Sequence, residues 1–174
     1  MLGIKEQNIN VYIVDDDKLT LKILSNNFNS ISKYNVKTFT TGEEFLEYFI
    51  KYPPLKKSIS LLILDYQLST KENKDARNGI EILKFVKEIN NNVHVVIHSS
   101  NNEVEVASKA IELGARTFIK KNENSFLRIN NQLKSIISEV VLEKKRANSK
   151  TTQVIFGGLL FLFSLLVLYH VFIE

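Results

Sequence analysis

Leu61-Leu62-Ile63-Leu64-Asp65-Tyr66-Gln67 is the stretch whose reading decides the fold. Four consecutive apolar residues without polar alternation read as a strand buried on both faces, the kind found at the centre of a parallel sheet flanked by helices. Asp65 ends that run. In open α/β sheets ligands gather outside the carboxyl ends of the strands, so an acid there is presented to a crevice. Taken alone, such an aspartate can equally terminate a strand or cap a loop, and the rest of the chain has to decide.

Upstream, Asn10 to Val14 is β-branched and aromatic and stops at Asp15-Asp16-Asp17, which predicts a strand whose carboxyl end carries three acids. From Lys18 to Ile31, Leu21, Leu24, Phe28 and Ile31 recur at helical spacing, and Asp17 reads as the cap of that helix. Tyr34 to Phe39 is a second strand. Thr41-Gly42-Glu43-Glu44 has the form of a capping box and opens a helix that Pro53-Pro54 closes.

Downstream, Leu68 to Asn78 is a long polar loop, and its length and charge fit either a role in access of partner or water to Asp65 or a solvated insertion of no consequence. A helix follows from Gly79, with Leu83, Val86 and Ile89 on one face. Val93 to Ile97 is a fourth strand ending at His98-Ser99-Ser100, and a helix from about Asn102 to Leu113 ends at Gly114, its expected cap. Thr117 to Ile119 is the fifth strand, with Lys120-Lys121 at its end. A long helix from about Ser125 to Ala147 completes the pattern. Five strands alternating with five helices predict an α/β domain over residues 1–147, a doubly wound parallel sheet with helices on both faces.

Of the 174 residues, 44% are hydrophobic and 24% charged, a globular balance, and there is no Cys to form a disulfide or a thiolate metal site. The net charge of +4 lies mostly in Lys144, Lys145, Arg146 and Lys150 near the end, so no basic face remains for nucleic acid. After a polar linker at 148–153, residues 154–173 carry no charge, and as a helix they are long enough for ~30 Å of hydrocarbon. The expectation is a single transmembrane helix, with the preceding basic cluster keeping the folded domain on the cytoplasmic side of the inner (plasma) membrane. Gly157, Gly158 and Ser164 are small enough to line a helix contact in a homodimer.

The chemistry-bearing residues fall at strand ends: Asp15 and Asp16 after the first, Asp65 after the third, Ser99 after the fourth, Lys121 after the fifth. Three carboxylates close together repel one another, and a hard divalent cation with oxygen ligands relieves that repulsion. Mg²⁺ fits, since it accepts a few carboxylates and completes its shell with water or phosphate oxygens. A lysine and a hydroxyl opposite the acids suit an anion held by the same metal, a layout for phosphoryl transfer onto a carboxylate.

Over roughly residues 8 to 145 the chain resembles the receiver domain of two-component response regulators. The motifs are Val14-Asp15-Asp16-Asp17, Leu62-Ile63-Leu64-Asp65, Val96-Ile97-His98-Ser99-Ser100 and Gly114-Ala115-Arg116-Thr117-Phe118-Ile119-Lys120-Lys121. The resemblance implies a flavodoxin-like sheet of order 2-1-3-4-5 and a signalling module in place of an enzyme. It implies Asp65 as phosphoacceptor, and Mg²⁺ held by Asp15, Asp16, Asp65 and the main-chain carbonyl of Gln67. Ser99 and Phe118 would be the switch residues and Lys121 the phosphate-contacting lysine. A histidine kinase or phosphotransfer protein would donate, and an unidentified downstream protein would respond, since no output domain follows in this chain. Asn122 and Ser69 depart from the family, which usually has proline at both positions.

Two alternatives stand beside this reading. A hydrolase of the haloacid dehalogenase type also uses a strand-end aspartate with Mg²⁺, but its second acid would fall at Gln67. A degenerate receiver that only binds a partner would not need Asp15, Asp16, Ser99 and Lys121 together.

Overall fold

The computed structural model describes residues 8–32, 34–55, 57–68, 76–100 and 104–173. The chain forms two compact units, Met1–Ser135 and Ile136–Glu174. The first alternates strand and helix: β1 (Ile9–Val14), α1 (Lys18–Ile31), β2 (Asn35–Phe39), α2 (Gly42–Lys51), β3 (Ile59–Leu64), α3 (Gly79–Ile89), β4 (His94–Ser99), α4 (Val104–Glu112) and β5 (Thr117–Lys120), followed by the start of α5 (Ser125–Ile173). The second consists of the rest of α5.

The five strands make one parallel sheet of order β2-β1-β3-β4-β5, as the sequence predicts. The apolar runs explain which strands are central. Every residue of β1 and β3 is buried, whereas β2 and β5 at the edges are partly exposed. On one face Tyr12, Val14, Leu62 and Leu64 pack with Phe45, Phe49, Ile82, Leu83 and Val86 from α2 and α3. The aromatic pairs there are tilted or edge-on, with Tyr12 edge-on to Phe49 at 6.0 Å and Phe39 edge-on to Phe45 at 5.4 Å, the arrangement that ring quadrupoles favour.

The caps follow local chemistry. Asp17 accepts hydrogen bonds from the backbone N–H groups of Leu19 and Thr20 at 2.9 and 3.3 Å and starts α1. Thr41 caps α2 by accepting from Glu44 N, but the return arm of Glu44 accepts from Thr40 N at 3.2 Å, one residue earlier than a strict capping box. Gly114 adopts φ +91° after α4, where its missing Cβ removes the left-handed penalty.

Two expectations are corrected or left aside. Among the described residues no helix is long and apolar enough to cross a membrane. Residues 154–173 are not a separate element but the end of α5, one helix that includes 148–153. The transmembrane anchor, the membrane as a partner and the inner-membrane location are therefore withdrawn. Of the loop from Leu68 to Asn78, residues 69–75 lie outside the described residues, as do 101–103 before α4.

Candidate functional site

Register builds the site. Val14 pairs with Leu64, so the residues that leave these two central strands, Asp15 and Asp65, emerge side by side at one sheet edge. Asp65 N donates to Val14 O at 2.9 Å and Asp15 N donates to Phe39 O at 3.2 Å, which extends the ladder just to the two acids. Asp15, Asp16 and Asp65 each offer a carboxylate oxygen, and these oxygens lie within 4.8 Å of one another. Asp15 Oδ1 also accepts from Asp17 N at 3.0 Å, and Asp65 Oδ1 accepts from Gln67 N at 3.4 Å. Both acids are thus held by the turns that follow them.

Lys121 reaches the same place from β5. Its Nζ lies 2.8 Å from Asp15 Oδ2 and 2.7 Å from Asp65 Oδ2, bridging the two acids. Its backbone N–H donates to Ser99 O at 2.9 Å, so the end of β4 fixes where the lysine stem begins. Ser99 is fully buried at that strand end. Phe118, half-buried in β5 opposite Ile97, packs against the core instead of joining the acids. Asn122, at the position where proline is usual, accepts from Asn124 N at 3.0 Å through its side chain, while its carbonyl accepts from Ser125 N, and this turn opens α5.

The electrostatics express a conflict. Burial pushes the Asp15 carboxyl up to about 6, the hydrogen bond from Lys121 pulls it down, and the Asp65 charge pushes it up again. Asp65 is raised in the same way, by burial first and against the pull of Lys121. Burial alone would lower the Lys121 ammonium, but its hydrogen bonds and attraction to Asp15 and Asp65 win, and its pKa is raised. One cation thus serves two buried acids and leaves the cluster short of positive charge. Three oxygen donors in reach of one point, with that shortage, fit a hard divalent cation. Asp17, engaged with Thr20 and Leu19, is turned away to its helix and stands apart from the cluster.

The roles of three residues of this region were not legible in the sequence. Gly79 opens α3 directly behind the site, donating from its N–H to Tyr66 O at 2.8 Å. A Cβ there would overlap the carbonyl oxygen of Asp65 and lie 2.9 Å from Tyr66 Cα. Asn78 caps α3 in a full capping box with Glu81, a pattern readable as Asn-x-x-Glu. His98 is 3% exposed, and neither ring nitrogen has a hydrogen-bond partner among the described residues.

Comparison with known proteins agrees with this geometry. Residues 11–130 match the response regulator receiver domain. The chain is 26% identical over 159 residues to a cyclic di-GMP phosphodiesterase of Thermotoga maritima, covering 82% of this chain and 39% of that protein. It is 28% identical over 109 residues to sporulation initiation phosphotransferase F of Bacillus subtilis, covering 63% of this chain and 79% of that one. Among solved structures, the CheX–CheY–BeF3–Mg²⁺ complex from Borrelia burgdorferi is similar with a TM-score of 0.60 and 27% identity, over 74% of this chain and 88% of that chain. Receiver domains bind Mg²⁺ at an acidic pocket that corresponds to the Asp15, Asp16 and Asp65 cluster, and they interact with histidine kinases or phosphotransfer proteins. The match decides against the haloacid dehalogenase alternative. Because it spans well over half of the sequence, the chain belongs to the response regulator receiver domain family.

Proposed function

We propose that Asp65 accepts a phosphoryl group from a phosphohistidine of a kinase or phosphotransfer protein and that the resulting change at Ser99, Lys121 and Phe118 is read by a downstream protein. An Asp65 carboxylate oxygen forms the new P–O bond, the donor's P–N bond breaks, and the imidazole leaves and takes up a proton. Asp15, Asp16, Asp65 and the Gln67 carbonyl would hold Mg²⁺, which neutralises charge on the phosphoryl oxygens when bound. Lys121 exchanges its Asp65 contact for a phosphoryl oxygen and keeps Asp15. The Ser99 hydroxyl donates to another phosphoryl oxygen, and Phe118 repacks on the strand beside it. The observation that carries this reading is Lys121 bridging Asp15 and Asp65 at the carboxyl edge of the sheet.

The test is intact-mass analysis of the full chain after incubation with acetyl phosphate and Mg²⁺. Wild type is expected to gain one phosphoryl group and Asp65→Asn none. Equal labelling of both would overturn the assignment, and no labelling of wild type would favour a receiver that acts only by binding.

A further inference from the structure

A cavity of about 260 Å³ lies between α1 and the β5–α5 turn, lined by none of the three acids but reached by Lys121, which bridges two of them. Thr20, Ile23, Leu24 and Asn27 line one wall, the i, i+3, i+4 and i+7 face of α1, and Phe126 lines the other. Phe126 is fixed there edge-on to Phe28 at 5.2 Å. His98 from β4 also lines the cavity.

Two features make this more than a packing gap. First, His98 holds two polar ring nitrogens buried behind an apolar wall, and neither has a partner among the described residues. Burial, and then the Lys121 charge, push its pKa down to about 4, so at neutral pH the ring offers one donor and one acceptor. Leaving such groups unpaired is costly, and the torsion that turns an imidazole is soft, so a small rotation brings a nitrogen to a hydrogen-bonding guest. Second, among the described residues no free cation faces the cavity, because Lys121 is committed to Asp15 and Asp65, while Glu123 adds an acid at the rim. Anions are therefore disfavoured. The volume lies below the ~300 to 1,000 Å³ of drug-sized sites.

From these observations we propose that the cavity is a binding site for a small uncharged aromatic molecule bearing one hydroxyl or N–H group, seated on Ile23, Leu24 and Phe126 and hydrogen-bonded to His98. It does not depend on phosphorylation of Asp65. Phenol and toluene make the probe pair, since they differ only in the polar group. Each is titrated into the full chain while the NMR signals of Ile23, Leu24 and the His98 ring are followed. Phenol is expected to shift all three saturably. His98→Val should weaken phenol about five- to tenfold, the worth of one neutral hydrogen bond, and leave toluene within about twofold. Ile23→Trp, at a position 50% exposed and so tolerant of size, should fill the cavity and abolish both. Absence of saturable shifts, phenol binding unchanged by His98→Val, or binding that survives Ile23→Trp would overturn the proposal and leave the cavity to water.

Discussion

At the scale of single residues, Asp15 and His98 pull stability in opposite directions with pH. His98 has its pKa depressed from 6.5 to about 4, so below pH 6.5 the unfolded chain binds a proton that the folded one refuses. Its contribution is present above pH 6.5 and is lost as pH falls toward 4. Asp15 is raised from 3.8 to about 6, so between these values the folded chain holds the extra proton, and stability falls as pH rises. The two slopes oppose each other between pH 4 and 6. Chemical denaturation of His98→Val in metal-free buffer should show the variant gaining up to ~3 kcal/mol on wild type as pH falls from 7 to 4. Asp15→Asn should raise metal-free stability at pH 7 by about 1–3 kcal/mol, because it removes a charge that burial opposes. The same variant should lose the rise in melting temperature that Mg²⁺ gives wild type, since a bound cation stabilises only the state that holds it. An unchanged Mg²⁺ response in Asp15→Asn would remove it from the ligand set.

At the scale of elements, the first turn of α3 is the support of the site. Gly79 lets the helix start against the Asp65 carbonyl, and the atoms a methyl would meet are backbone, which cannot step aside. Gly79→Ala should cost about 1–3 kcal/mol and also slow labelling of Asp65, whereas Asn78→Ala should cost about 1 kcal/mol by loss of the cap alone. Comparing denaturation midpoints with acetyl phosphate labelling rates separates the two effects. The elements themselves were legible because their signals are local: an apolar run for β3, three acids closing β1, helical spacing in α1. What Gly79 and His98 do was not legible. The role of Gly79 depends on a carbonyl fourteen positions earlier returning beside it, and strand patterning places His98 inside without saying what it meets there. The apolar end of α5 misled because its uncharged run was read by itself, whereas in the structure it continues the helix that begins at Ser125.

At the scale of the whole molecule, the alternation of strands and helices made a doubly wound parallel sheet legible, the strand order came from the receiver resemblance, and the site follows from that order. Leu62 is fully buried in β3, between β1 and β4. Leu62→Ala should lose ~2 to 5 kcal/mol, and calorimetry should show one cooperative transition for the sheet moving downward. Labelling of Asp65 should fall in step with the folded fraction at each temperature, with no residual labelling above the transition. The Lys121 bridge gives the reason in terms of time. Its partner in Asp65 lies 56 positions earlier in the chain, and Asp15 comes earlier still. A ribosome that has released the acids but not yet the lysine has made no partial switch, only like charges with nothing to hold them together. On the function proposed above, competence to accept a phosphoryl group therefore arrives in a single step, late in synthesis, when the lysine joins the acids.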